Sequence, residues 1–352
     1  MIACSVQAGV ADSLALIDAP EPSPSAGALL VKTLAIGVCG TDHEIIAGHY
    51  GRPVAGQTDL IIGHESVGQV IDAPPTTNFR AGDLLCGIVR RPDPVPCRNC
   101  ANGEWDICRN GLYRERGIKE LHGFASERFR IEPEFAVPVN TALGELGVLV
   151  EPASVIAKVF DHAWRLGGRS SAWRPRRLLV TGAGPIGLLA VLFGRARGLD
   201  VSVFDRVTLG SKPSLVRDIG AVYYAGSLPN LEEHAPDLIV ECTGAPSVIA
   251  DVVTRSAPAG VVCLAGLSSG QHIVKLDMGA ISRELVLEND IVFGSVSANR
   301  AHYETAVEIL SSAERPWLAQ IISRRVPLNR WREAFERRPD DIKVVLEFGG
   351  IA

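Results

Sequence analysis

The chain has 352 residues, 47% hydrophobic and 21% charged, the make-up of an ordinary globular protein with material for two domains or one large one. A formal charge of −5 and a pI near 5.9 exclude an electrostatic case for binding nucleic acid or an anionic membrane. No uncharged apolar run reaches the ~18–20 residues that span a bilayer, and Met1 to Pro20 lacks the basic and apolar regions of a signal peptide.

To about residue 150 the sequence is rich in Gly and Pro, with short runs such as Leu29 to Ile36 and Ser66 to Asp72. That pattern predicts short strands and turns, hence a β-rich domain. Within it, Gly37-Val38-Cys39-Gly40-Thr41-Asp42 is followed by Gly63-His64-Glu65. A thiol, an imidazole and a carboxylate therefore stand among glycines that let the backbone turn sharply. A catalytic zinc takes three protein ligands of this kind and keeps one position open. The competing reading is a satisfied polar pair, His64 and Glu65, beside a buried thiol. Further on, Cys97, Cys100 and Cys108 stand at metal-type spacing, and three unligated thiols in a loop would be an oxidation hazard. Cys4, Cys86, Cys242 and Cys263 lie in apolar, strand-like runs and are expected to be buried thiols. Eight cysteines are too sparse for a disulfide scaffold, so a reducing cytoplasm is the expected compartment.

Between residues 153 and 296 the pattern changes to buried strand, helix, buried strand. Arg177 to Thr181, Asp200 to Asp205, Asp237 to Glu241, Gly260 to Ala265 and Ile291 to Ser295 are the predicted strands. Ile186 to Arg197 and Ser247 to Arg255 are predicted helices between them, as a doubly wound parallel sheet requires. The first of these strands runs into Gly182-Ala183-Gly184-Pro185-Ile186-Gly187. Gly182 permits the tight turn, Gly184 lets a pyrophosphate approach the backbone, and Gly187 allows close helix–strand packing. The pyrophosphate would rest on the helix start at Pro185 and Ile186, where N–H groups are unpaired. Asp205, at the end of the next strand, can accept both ribose hydroxyls of NAD and repel the 2′-phosphate of NADP. Arg206 and Lys212 lie close enough to favour NADP instead, and the remaining alternative makes Asp205 a solvated strand end. The cluster Arg174, Arg176 and Arg177 reads as a solvated loop edge. The tail returns to helix (Tyr303 to Ser312, Arg330 to Arg337) and a last strand, Ile342 to Phe348.

On the metal-type motif and the glycine-rich turn together, the chain resembles the zinc-dependent medium-chain dehydrogenases over nearly its whole length. Gly37 to Glu44, Glu115 to Gly123 and Gly294 to Tyr303 bring it closest to the glucose 1-dehydrogenases of archaea. The resemblance implies a GroES-like catalytic domain, residues 1–152 and 300–352, with a Rossmann nucleotide-binding domain, 153–299, inserted. It implies catalytic zinc at Cys39 and His64 with Glu65 adjacent and Glu151 as a further carboxylate, and Thr41 as the hydroxyl that relays the proton. Relatives often carry a histidine where this chain has Glu44, and His43 is equally an exposed turn residue. Cys97, Cys100 and Cys108 match three of the four cysteines of a structural zinc lobe. The first falls at Pro94, with Asp93 beside it as an oxygen donor; the alternative is a metal-free lobe packed through Trp105 and Leu112.

Cofactor contacts are further implied at Thr243, Gly244, Leu264 and Ser297, and substrate contacts at Thr41, Glu115, Glu151 and Ser297. Arg90 and Arg91 also resemble that branch. Ser297 stands where the glucose enzymes carry asparagine, so the substrate class widens to other aldoses, polyols and sugar-like biosynthetic intermediates. For Glu115 the alternative is a surface ion pair with Arg114, Arg116 or Lys119. The expected function is oxidation of a sugar or polyol hydroxyl with NAD, or NADP, by a homodimer or homotetramer. The competitors are a threonine or butanediol dehydrogenase and a non-catalytic nucleotide-binding protein.

Overall fold

Short alternating runs fold as strands from the first residues on, in a computed structural model that describes residues 1–226, 235–268 and 273–349. Ile2–Gln7 (β1) and Ala15–Asp18 (β2) pair antiparallel. Leu29–Val38 (β3) is followed at once by a short helix, Gly40–Ile46 (α1). Asp59–Ile61 (β4) returns to β1, and Glu65–Asp72 (β5) pairs with β3 through two register shifts. Leu84–Gly87 (β6) and Arg90–Arg91 (β7) precede a one-turn helix, Arg98–Ala101 (α2). Arg114–Arg116 (β8), Glu120–Leu121 (β9), Arg128–Ile131 (β10) and Ala136–Val139 (β11) complete the N-terminal strands.

Val150–Gly167 (α3) then leads into a repeating strand–helix pattern. Its elements are Arg177–Thr181 (β12), Pro185–Ala196 (α4), Asp200–Asp205 (β13), Ser211–Asp218 (α5), Val222–Ala225 (β14), Leu238–Glu241 (β15), Pro246–Val252 (α6), Val261–Leu264 (β16), Met278–Glu288 (α7) and Ile291–Gly294 (β17). The tail holds Arg300–Ser312 (α8), Arg315–Ile321 (α9), Ile322–Pro327 (β18) and Lys343–Glu347 (β19). Between the last two strands, where Arg330 to Arg337 is predicted as helix, the chain makes a 3-10 run kinked at Arg330. Two further elements, α5 and α7, carry no strong apolar stripe and are not legible as helices in the sequence.

The chain divides into two compact units, Met1–Ser154 with Ser297–Ala352, and Val155–Val296. The first is built on a seven-stranded sheet, in the order β11-β6-β5-β3-β19-β18 with β10 also on β3, and on two three-stranded sheets, β2-β1-β4 and β7-β8-β9. In this division Ser297, Ala298 and Asn299, expected with the nucleotide-binding residues, fall in the first unit. The reason is local: Asn299 caps α8 and its side-chain amide donates to Asp106 Oδ1 at 3.1 Å.

The second unit is a six-stranded parallel sheet in the order β14-β13-β12-β15-β16-β17. Its inner strands are buried along most of their length, as strands covered on both faces are, and Leu179, Ile239, Val252 and Val262 belong to one core cluster. The strand order reverses between β12 and β15, the place where doubly wound sheets open a ligand crevice at their carboxyl ends. Among the described residues no helix is long and apolar enough to cross a membrane.

Candidate active site

Strand β3 ends at Val38, and Cys39 caps α1. The Thr41 N–H donates to Cys39 Sγ at 3.3 Å, and the Cys39 N–H donates to Asp42 Oδ2 at 2.9 Å, so cap and sulfur are fixed together. The next strand of the sheet, β5, begins at Glu65, which places His64 beside the cap. His64 Nε2 lies 3.1 Å from Cys39 Sγ, and Nδ1 lies 3.4 Å from Asp42 Oδ1, a charge contact at the long edge of hydrogen-bond geometry. Both His64 and Asp42 are buried. Burial by itself would favour the neutral ring, but Cys39 and Asp42 together hold the His64 pKa well above the ordinary value. A site that draws a proton to this ring offers the same negative potential to a metal cation.

Ligand atoms of Cys39, His64 and Glu65 lie within 4.8 Å of one another. Glu65 is buried and its two oxygens accept from Lys343 Nζ at 2.7 and 2.6 Å; Lys343, on β19, is itself 1% exposed. Gly37 faces Glu65 in the register, and a Cβ there would fall 2.0 Å from Glu65 Oε2. Only glycine leaves room for this pair. Glu151, half-buried in the first turn of α3, stands outside the group of three, but it feels His64, Glu65, Lys343 and Asp42. Its pKa is pushed up to about 7, by burial first and by Glu65 and Asp42, with His64 and Lys343 opposing. Around the buried Lys343 ammonium and the His64 ring the site gathers a thiol and three carboxyls, a donor set that a divalent cation can use once the ring gives up its proton. His64 and Glu65 do not pair with each other: His64 faces Cys39 and Asp42, and Glu65 is held by Lys343.

In the second unit, β12 runs into Gly182 (φ +89°), where a Cβ would sit 2.9 Å from Thr243 Cγ2. A Cβ on Gly187 would lie 1.8 Å from the Gly182 carbonyl oxygen, so the glycine permits the close packing of α4 on the turn. Helix α4 has Gly184 as its cap, with no side chain to bond the first N–H groups, and Pro185 at its start. Those N–H groups are free to receive an anion. Asp205 closes β13 and is buried, so it is not a solvated strand end. Its Oδ2 accepts from the Ala183 N–H at 2.6 Å and its Oδ1 from the Val207 N–H at 2.9 Å. Arg206 and Thr243 are exposed, Gly244 is buried, and Ile186, Lys212 and Leu264 are half-buried. Arg174, Arg176 and Arg177 are exposed, as a loop edge should be.

The sulfurs of Cys97, Cys100 and Cys108 also lie within 4.8 Å of one another. N–H groups of Arg109 and Cys100 point at Cys97 Sγ, at 3.4 and 3.5 Å, and bring its pKa down to about 6, while burial pushes Cys100 up to about 11. Asp93 is not turned over to the thiols: its oxygens accept from the Val95 N–H at 2.9 Å and Asn110 Nδ2 at 2.8 Å. Trp105 packs edge-on against Phe135, but Leu112 is 62% exposed.

Glu115 is buried on β8, and its partner is none of Arg114, Arg116 or Lys119. Arg90, opposite it on β7, donates to Oε1 through Nε at 3.0 Å and brings Nη2 within 2.9 Å of the same oxygen as an ion pair, while its guanidinium lies 3.8 Å from the centre of the Tyr113 ring. The carboxylate is therefore charge-compensated in advance, and no argument from an unpaired buried charge applies to it. Thr41 is half-buried; Glu44 is exposed and faces His49 at 3.4 Å. Ser297 is half-buried and holds φ +62°, a left-handed conformation. The role of Asp42 beside His64, the pairing of Arg90 with Glu115, and Lys343 altogether went unnoticed in the sequence. Asp42 is signalled by its place three residues after the cap, and Lys343 by a lone charge in Ile342-Lys343-Val344-Val345-Leu346.

A cysteine–histidine–carboxylate cluster on a β-rich unit, with a parallel-sheet unit whose first turn is glycine-rich, defines the class of metal-dependent, nucleotide-linked dehydrogenases. A family model described as Alcohol dehydrogenase GroES-like domain matches residues 25–141, and one described as Glucose dehydrogenase C-terminus matches residues 144–348. A glucose 1-dehydrogenase of Methanocella arvoryzae is 40% identical, over 99% of this chain and 100% of its own. One from Vulcanisaeta moutnovskia is 38% identical over 99% of both. A solved structure of Haloferax mediterranei glucose dehydrogenase in complex with NADP, Zn and gluconolactone superposes with a TM-score of 0.91 at 32% identity, over the whole of both chains. This chain belongs to the glucose dehydrogenase family of zinc-dependent medium-chain dehydrogenases.

Proposed function

We propose that the protein oxidises a hydroxyl of a sugar, in the manner of a glucose 1-dehydrogenase, with zinc and a nicotinamide dinucleotide as cofactors. The observation that carries this is the cluster of a half-buried Cys39 with the buried His64 and Glu65, in a chain similar throughout its length to glucose 1-dehydrogenases. When bound, zinc supplies polarisation of a hydroxyl oxygen and the nicotinamide ring accepts a hydride. Cys39 and His64 would hold the metal with a carboxylate, Glu65 or Glu151. Asp42 orients His64 through its second ring nitrogen, as outer carboxylates do for metal-binding imidazoles. Lys343 fixes Glu65 and neutralises part of the surrounding negative charge. Thr41 is assigned the proton, from the first turn of the helix that Cys39 caps. Glu115, steadied by Arg90, and Glu151 would accept hydrogen bonds from neighbouring sugar hydroxyls.

NAD is proposed as the preferred cofactor, on the strength of Asp205, whose fixed carboxylate would oppose a 2′-phosphate. A second zinc is proposed at Cys97, Cys100 and Cys108. A homo-oligomer, dimer or tetramer, is supported by the edge strand β17 and by α7, in which no residue is buried. A reducing compartment, the cytoplasm, is supported by eight free cysteines. The test is turnover of NAD and NADP with a panel of aldoses, polyols and a simple secondary alcohol, before and after chelation and zinc return. Aldose oxidation that is lost on chelation and recovered with zinc is expected. Activity on the secondary alcohol with none on any aldose or polyol would promote the threonine- or butanediol-type reading instead.

A further inference from the structure

Glu241 is the last residue of β15 and is 0% exposed, at the point where the strand order of the parallel sheet reverses. A carboxylate taken fully out of water must find strong partners, and every partner here is neutral. Its Oε1 accepts from Thr181 Oγ1 at 3.2 Å, from the Thr243 N–H at 2.7 Å, from the Thr243 hydroxyl and from the Gly244 N–H at 3.2 Å; Oε2 accepts from the Gly244 N–H at 3.1 Å. Thr181 is the residue opposite Glu241 on β12, so one carboxylate ties the two strands that flank the reversal. The same group holds the loop that follows β15.

That loop bears on the glycine-rich turn. Thr243 Cγ2 occupies the space beside Gly182 that a Cβ would need, and Gly244, at φ +64°, meets the Leu267 carbonyl after β16. A Cβ on Gly266 would fall 2.2 Å from the Gly244 nitrogen and 2.8 Å from Glu241 Oε2. The loops after β12, β15 and β16 thus close around one side chain. We propose that Glu241 is a positioning residue for the nicotinamide cofactor: without touching it, the carboxylate sets the Thr243–Gly244 loop and the Gly182 turn in the shape that receives the dinucleotide. This rests on the reading of the crevice as the dinucleotide site.

Removing the charge acceptor should loosen the loop and leave the metal unit untouched. Glu241→Gln is nearly the same size, but half of its head donates, so it faces N–H groups that need an acceptor. Thr181→Val removes one hydroxyl and keeps the branched shape, and it serves if the glutamine variant does not fold. Binding of NADH and NADPH is measured by fluorescence titration, with KM for cofactor, KM for sugar, zinc content and unfolding midpoint alongside. The expected result is a tenfold or larger rise in cofactor Kd for Glu241→Gln and a several-fold rise for Thr181→Val. Sugar KM and zinc content should hold in both variants, with the unfolding midpoint of Thr181→Val lowered by only a few degrees, as loss of one hydrogen bond predicts. Cofactor Kd unchanged in both folded variants overturns the positioning role alone. A wild-type protein that binds neither nucleotide removes the crevice reading, and the proposal with it.

Discussion

Glycine at position 37 shows how a single absent atom decides the chemistry of the site. Glu65 and Lys343 need the volume that a Cβ would take, 2.0 Å from Glu65 Oε2 and 3.0 Å from its Cβ. Gly37→Ala is expected to cost about 1–3 kcal/mol through overpacking. Zinc affinity should fall roughly 10–100-fold as the carboxylate is displaced, the range for changes to groups that orient metal ligands. A competition titration against a chelator, with thermal unfolding alongside, checks both; unaltered zinc affinity would remove Glu65 from the metal site. Ser297 is a second residue-scale case. At φ +62° asparagine is tolerated better than serine, so Ser297→Asn should stabilise the protein by up to about 1 kcal/mol. It should also improve glucose turnover if a longer amide is what that position lacks. A rise in stability with no change in kcat/KM for glucose would confine the position to backbone geometry. Asp205 can be probed likewise: Asp205→Ser should shift the ratio of kcat/KM from NAD toward NADP, with both weakened because the Ala183 and Val207 N–H groups lose their acceptor.

At the scale of elements, the two tail strands, paired with each other and with β3, are also tied by an ion pair. Asp341 precedes β19 and accepts from Arg324 of β18 in a two-pronged contact, Nε to Oδ1 and Nη2 to Oδ2, both at 2.7 Å. The pair is mostly buried, with side chains 14% and 16% exposed. Burial alone would raise the Asp341 pKa, but the Arg324 fork outweighs it and holds the carboxyl below its ordinary value. A group with a depressed folded pKa stabilises above its unfolded pKa, ~3.9 for aspartate, and loses that contribution as pH falls through the folded value. Asp341→Asn should therefore lower stability by about 1–3 kcal/mol near pH 7. The gap to wild type should shrink as pH is taken below about 4. A gap that stays constant from pH 7 into acid, followed by denaturant unfolding, would show that shape and not charge matters there. The stake is functional, because β19 carries Lys343 to Glu65.

At the scale of the whole molecule, two metal sites of different purpose are expected on one chain. Elemental analysis of protein prepared with zinc should give two zinc ions per chain, falling to one in Cys97→Ser with most sugar oxidation kept. Cys39→Ala should also fall to one, but with kcat/KM lowered on the order of a thousandfold, since several kcal/mol of polarisation is lost. Equal loss of activity in both variants would undo the division into a structural and a catalytic site.

Much of this organisation is legible in the sequence because it is local. The strand ending at Gly182 and the helix starting after Gly184 follow from apolar runs and the geometry glycine allows, and β12 and β13 fall on their predicted residues. The donors Cys39 and His64 are marked by residue type and by the turns around them. What the sequence by itself could not determine is who neutralises whom. Lys343 reaches Glu65 across 278 residues, and Arg90 reaches Glu115 across 25, through sheet registers that no local pattern encodes. Asp205 is buried rather than solvated because its carboxylate spans from strand end to turn. Glu241, one residue past an apolar run, becomes the hub of a crevice only when two strands are laid side by side. Propensity and periodicity act within a few residues of the chain; charge compensation and desolvation act through space, and only the tertiary structure decides them.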